Sequence, residues 1–227
     1  MKIEKYPNNV ILDSIETWIF DLDNTLYPAS SKLFEQVSER IGLFISNYLN
    51  ISIGKAKIIQ KDFFFKYGTT LRGLMLEYNV KPSEFLAYVH DIDFSPLDCA
   101  KSLEKALNSL QGRKIIFTNA DTPYANQVLL KLGLKQHFTE IFDIVAAEYI
   151  PKPDPQAYKT FIKKHDFNPK KAIFFEDILR NLEPAKQMGM FTVWVKNNGT
   201  WAMPGSEGIE PHYETSDLAK WLNSVLK

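Results

Sequence analysis

The chain has 227 residues, within range of one large domain or one domain with an insert, and 45% of them are hydrophobic, enough for a full core. Its 27 Lys and Arg balance 27 Asp and Glu, so no basic field draws it to nucleic acid or an acidic membrane. No apolar run is long enough to span a bilayer, the first residues lack a signal-peptide core, and the single cysteine, Cys99, precludes an internal disulfide, so a reducing cytoplasm is the expected setting.

Residues 1–16 read as an arm leading into the first strand. Trp18-Ile19-Phe20 is a short apolar run of the kind buried on both faces of a sheet, and it runs straight into Asp21, with Asp23 two places on. Side chains alternate along extended chain, so the two acids leave the strand pointing the same way while Leu22 turns back. From about Ser31 to Leu49 the apolar residues Leu33, Phe34, Val37, Ile41, Phe44, Ile45 and Tyr48 fall at helical spacing. A second helix is predicted from Ile53 to Tyr67, stopped by Gly68. A third, capped by Thr69 or Thr70, runs to Tyr78, and a fourth opens on Pro82. No convincing strand lies between 28 and about 95.

From Asp98 the pattern alternates. A helix to Leu110 is stopped by Gln111-Gly112, and a strand follows over Lys114–Thr118. Next come a helix over Pro123–Leu132, a strand over Ile141–Val145 and a helix over Pro155–His165. A strand at Ala172–Phe175 leads to a helix ending near Met188-Gly189, then a strand over Phe191–Val195 and a closing helix over Asp217–Leu226. Alternation of this kind implies a parallel sheet covered on both faces.

Ligands of open parallel sheets bind at the carboxyl ends of the strands. Those ends carry Asp21 and Asp23, then Thr118-Asn119, then Glu176-Asp177, and Lys152 follows the third strand in a stiff frame of prolines. Each has an ordinary alternative. The acids and Asn24 suit a turn or helix cap, Thr118 a hydroxyl bonded to backbone, Lys152 a solvated loop, and Glu176-Asp177 the first turn of a helix. Together they match phosphoryl transfer, in which cations neutralise the phosphoryl oxygens while a carboxylate attacks in line. Repelling carboxylates at a strand mouth need a positive partner, and a divalent cation with oxygen ligands is the simplest.

These residues resemble the haloacid dehalogenase superfamily of phosphatases over essentially the whole chain: Asp21-Leu22-Asp23-Asn24-Thr25-Leu26 as the first motif, Thr118 the second, Lys152 the third, Glu176-Asp177 the fourth. The resemblance implies a Rossmann-like three-layer α/β/α core, residues 1–27 and 96–227, with strand order 3-2-1-4-5, and an inserted helical cap at 28–95. It also implies roles. Asp21 is the nucleophile, and Asp23 the acid and then the base. Mg²⁺ is held by Asp21, Asp177 and the Asp23 carbonyl, with Glu176 behind them. Thr118, Asn119 and Lys152 bind the phosphoryl group. An acid at 23 favours phosphate-ester chemistry over dehalogenation, which needs no proton.

Within the superfamily, Asp23–Pro28, Tyr67–Leu74, Val89–Asp93 and Arg180-Asn181-Leu182 resemble the pyrimidine 5′-nucleotidase branch. The implied substrate is a nucleoside monophosphate such as UMP or CMP. Phe64 and Tyr67 are candidates to stack on the base and Arg72 to contact an oxygen, although the run Phe63-Phe64-Phe65 also suits packing. His90, Asp91 and Asp93 suit a polar hinge. Two alternatives stay open: a phosphatase for another small metabolite such as phosphoglycolate or a sugar phosphate, and a phosphate-binding regulatory protein on the same scaffold. The second is prompted by departures in the fourth motif, where Glu176, Ile178 and Asn181 stand at positions the branch fills otherwise.

Overall fold

The computed structural model describes residues 13–197 and 205–225, so most of the expected arm and the last residue of the closing helix lie outside the described residues. Six strands form one parallel sheet in the order β3-β2-β1-β4-β5-β6. They are β1 (Thr17–Phe20), β2 (Arg113–Phe117), β3 (Glu140–Phe142), β4 (Ala172–Glu176), β5 (Phe191–Val195) and β6 (Tyr213–Thr215). The order expected for the first five strands holds.

Two expectations need correction. The third strand stops at Phe142 rather than Val145. The Asp143 carboxylate accepts hydrogen bonds from Thr122 N, Thr122 Oγ1 and Ala146 N, which turns the chain out of the sheet, and Val145 is exposed. The strand β6, only three residues long, is an addition to the expected five; it pairs with β5 and is the edge strand on that side.

Pleating divides the core. Trp18, Phe20, Ile116, Ile173 and Phe175 pack on one face, and Ile19, Ile115, Phe117 and Phe174 on the other. Phe20 stacks on Phe175 with ring centroids 4.7 Å apart. Helices α5 (Lys101–Ser109), α6 (Thr122–Leu132), α7 (Pro155–His165), α8 (Leu182–Gln187) and α9 (Leu218–Val225) belong to the alternating part.

Between β1 and α5 lie α1 (Leu33–Leu49), α2 (Ile53–Tyr67), α3 (Thr70–Tyr78) and α4 (Pro82–Val89), numbered before α5 in chain order, with no strand among them. The expected punctuation is present. The Ser52 hydroxyl caps α2, Gly68 ends it at φ 85°, the Thr69 hydroxyl caps α3 through Arg72 N at 3.2 Å, and Pro82 opens α4. Gly73 lets α3 lie against α2, because a Cβ there would fall 2.4 Å from the Phe63 ring. No helix among the described residues is long and apolar enough to cross a membrane.

Candidate active site

The strand register fixes the site. Phe20 pairs with Ile116 on one side and Phe175 on the other, so β1, β2 and β4 end almost level. Asp21 N still donates to Phe175 O at 2.9 Å, carrying the ladder one residue past the strand. The next residues outward are therefore Asp21, Thr118 and Asp177, side by side at one edge.

Lys152 ties the ends of β1, β2 and β4 together. Its Nζ donates to Asp21 Oδ1 at 2.7 Å, Glu176 Oε2 at 2.6 Å and Phe117 O at 2.8 Å, which uses all three ammonium hydrogens. The side chain is 1% exposed and lies over the rings of Phe117 and Phe174 at 5.1 and 5.3 Å. Asn119 fixes the backbone beneath it: Nδ2 donates to Lys152 O and Oδ1 accepts from Lys152 N. The Asn119 amide is thus committed to the lysine loop. Thr118 is buried, and its oxygen accepts from Ala120 N at 3.0 Å.

Asp21 Oδ2 accepts from Thr25 at 3.1 Å, Asp177 Oδ2 from Asn197 at 2.7 Å, and Glu176 Oε1 from Ile178 N at 3.1 Å. Ligand oxygens of Asp21, Glu176 and Asp177 lie within 4.8 Å of one another. Burial, then repulsion from Glu176, push the Asp21 carboxyl up to about 7 against the pull of Lys152. Burial, Glu176 and Asp21 likewise hold Asp177 well above the ordinary carboxylate range. Burial opposes the charge on Lys152, but Asp21 and Glu176 outweigh it and raise its pKa. One ammonium cannot balance three ionised carboxylates, so all three ionise only with a further positive charge, and an all-oxygen donor set of this kind fits a hard divalent cation.

Asp23 stands apart from that cluster. Its Oδ1 accepts from the Tyr124 hydroxyl at 2.7 Å and from the Tyr27 hydroxyl. Burial raises the Asp23 pKa despite the two phenol bonds. Asp21, Asp23, Thr118, Asn119, Lys152, Glu176 and Asp177 line one cavity of about 750 Å³, whose other wall is built from the helices after β1, including Phe34, Phe64, Phe65 and Leu71.

A model of the haloacid dehalogenase-like hydrolase family matches residues 15–189. The chain belongs to this family. It is an enzyme of the hydrolase class whose fold and acidic edge are those the sequence implied. The chain is 29% identical to "Glyceraldehyde 3-phosphate phosphatase" of Pyrococcus furiosus over 80% of its length and 81% of the relative's. It is 28% identical to "Phosphate metabolism protein 8" of Saccharomyces cerevisiae over 77% of its length, but the match spans only 60% of the yeast protein. The HAD-hydrolase YfnB of Bacillus subtilis, solved bound to magnesium, superposes with a TM-score of 0.60 at 17% identity, covering 94% of this chain and 99% of that one.

Of the site residues read from the sequence of this hydrolase, the structure gathers Asp21, Thr118, Asn119, Lys152, Glu176 and Asp177 at one edge, with Asp23 on the same cavity. Phe64 lines the cavity, but Tyr67 and Arg72 do not. Tyr67 bonds instead to Glu77. His90, Asp91 and Asp93 do not converge: they pair with Asp121, Arg40 and Ser95 respectively. Sequence reasoning missed Tyr124 and Asn197, which lie about 100 and 20 residues from the acids they bond. Tyr27 directly follows the first motif, and its spacing of four from Asp23 is the one signal the sequence carries.

Proposed function

We propose that this hydrolase is a Mg²⁺-dependent phosphatase that works through an aspartyl-phosphate on Asp21, with residues 28–95 as a cap over a core of 1–27 and 96–227. The observation that carries it is the carboxylate trio Asp21, Glu176 and Asp177, the first two held by Lys152, on a cavity that Asp23 also lines. Asp21, Asp177 and the main-chain carbonyl of Asp23 would hold the ion, which when bound supplies positive charge to the phosphoryl oxygens and to Asp21.

The chain's own residues supply the rest. A carboxylate oxygen of Asp21 forms a bond to phosphorus as the bond from phosphorus to the ester oxygen breaks. Asp23 gives its proton to that departing oxygen. Asp23, now ionised, takes a proton from water as the water attacks phosphorus, which releases phosphate and frees Asp21. Thr118 donates its hydroxyl hydrogen to a phosphoryl oxygen. Lys152 contributes its charge and holds Asp21 and Glu176 in register, while Asn119 fixes the Lys152 backbone.

For substrate, we infer a pyrimidine nucleoside 5′-monophosphate. The cavity, about 750 Å³ with Phe64 and Phe65 in its wall, is far larger than a phosphoryl group requires. The name of the Pyrococcus furiosus relative favours a second reading, a small sugar phosphate. A panel of UMP, CMP, glyceraldehyde 3-phosphate and phosphoglycolate, assayed for phosphate release with Mg²⁺ and with chelator, separates them. Fastest release from the nucleotides, abolished by chelator and by Asp21→Asn, is expected. Faster turnover of another ester removes the nucleotide claim, activity in chelator removes the metal, and binding of phosphate without turnover of any ester leaves a regulatory protein.

A further inference from the structure

Two buried phenols converge on a single oxygen. Tyr27 and Tyr124 are each 2% exposed, and their hydroxyls lie 2.5 and 2.7 Å from Asp23 Oδ1 and 3.4 Å from each other. A buried phenol needs an acceptor, so one such bond would be ordinary. Here two chain segments about 100 residues apart deliver donors to the same atom, while Asp23 Oδ2 has no hydrogen bond among the described residues.

Tyr124 is itself held. Its ring stacks on His90, centroids 4.3 Å apart and planes 19° apart. The His90 Nδ1 lies 2.9 Å from Asp121 Oδ1, and that oxygen also accepts from Tyr124 N at 3.2 Å as the cap of α6. Tyr27 ends the turn after β1 and is fixed by its burial. The carboxylate therefore meets two rigid donors, one from each of two chain segments.

We propose that Tyr27 and Tyr124 are positioning residues for Asp23: by occupying Oδ1 they assign the exchangeable proton to Oδ2 and hold that oxygen toward the cavity. The role rests on the phosphatase reading above. In the first half-reaction the Oδ2–H bond breaks, its proton goes to the ester oxygen, and that oxygen takes the electron pair of the breaking phosphorus–oxygen bond. An alkyl phosphate needs this proton because an alkoxide leaves poorly. A 4-nitrophenyl phosphate does not, because its phenolate leaves unaided.

The test compares kcat/KM for an alkyl phosphate and for 4-nitrophenyl phosphate on wild type, Tyr27→Phe, Tyr124→Phe and the double variant, each with Mg²⁺. This constant reports steps only through release of the alcohol, so the later use of Asp23 as a base does not enter it. Because both esters are assayed on the same preparation, partial unfolding cancels in their ratio. The aryl-to-alkyl ratio is expected to rise about tenfold or more in each single variant and further in the double, a fraction of the ~10²–10⁴ that a positioned acid contributes. A ratio that stays at the wild-type value while both constants fall together, or while neither falls, overturns the positioning role. A wild-type enzyme that cleaves neither ester overturns the phosphatase reading, and the positioning role with it.

Discussion

Lys152 and Asp21 are 131 residues apart in sequence, and their charged atoms are 2.7 Å apart in a site where Lys152 is 1% exposed. The same ammonium reaches Glu176 at 2.6 Å. Removing one member of such a buried set strands the others, which costs more than the pair is worth by itself. Lys152→Met is therefore expected to destabilise the protein by about 3 to 5 kcal/mol, measured by urea unfolding without Mg²⁺. Adding Glu176→Gln to that variant removes one stranded charge and should recover part of the loss. A double variant no more stable than Lys152→Met would mean that the lysine is held by packing on Phe117 and Phe174 and not by the carboxylates.

The crowded carboxylates also set a pH dependence. Asp21, raised to about 7 by burial and by Glu176, keeps its proton in the metal-free folded protein at pH values where the unfolded chain has lost it. Asp177 shifts in the same direction. Stability from such groups is fully present below the unfolded value near 4 and is lost as pH rises through the folded value. The melting temperature of metal-free protein should therefore fall between pH 5 and about 8. Saturating Mg²⁺ should flatten that fall, and Asp177→Asn should flatten it without metal while removing the Mg²⁺ effect. A metal-free melting temperature that rises across this interval would contradict the arrangement.

Gly68 joins the helical insert to the lysine. It ends α2 at φ 85°, and a Cβ there would lie 2.9 Å from Lys152 O and 3.0 Å from Pro151 Cγ. Gly68→Ala combines backbone strain with a push on the loop that carries Lys152, and it should cost about 1 to 3 kcal/mol and lower kcat. Gly54→Ala is the control. It lies in the first turn of α2 with open space around its Cβ position, so the change should be neutral or stabilising by up to ~1 kcal/mol. Equal effects of the two substitutions would remove the contact argument.

What the sequence revealed and what it hid divide by range. The run Trp18–Phe20, the stop at Gly68, the cap at Thr69 and Pro82 at the start of α4 are local signals, and the structure follows them. The acids at the ends of β1 and β4 were visible because parallel strands end together, so one register brings Asp21 and Asp177 to the same edge. Tyr124 was invisible as a partner of Asp23 because nothing within α6 marks the direction of one hydroxyl. The resemblance assigns Asn119 to the phosphoryl group, whereas its amide spans the Lys152 backbone, a pairing fixed by a loop 33 residues away. The strand β6 carries too few residues to show a period, and its pairing with β5 makes it a strand.

The insert itself offers a sharp packing test. Gly73 lies within α3, where glycine costs about 1 kcal/mol relative to alanine, so helix propensity alone favours Gly73→Ala. The structure opposes it, since the new Cβ would fall 2.4 Å from Cγ and Cδ2 of Phe63 and 2.7 Å from its Cβ. That ring packs edge-on against Tyr67 at 5.5 Å, so it cannot retreat without disturbing α2. Overpacking a well-filled site costs roughly 1 to 3 kcal/mol, which exceeds the propensity gain, and a net loss of up to about 2 kcal/mol is expected in urea unfolding. Phe63→Leu on the Gly73→Ala background frees the contested space, so the two substitutions should couple favourably in a double-mutant cycle. Additive effects, or a stabilised Gly73→Ala, would show that α2 and α3 are not in the close contact that the glycine allows.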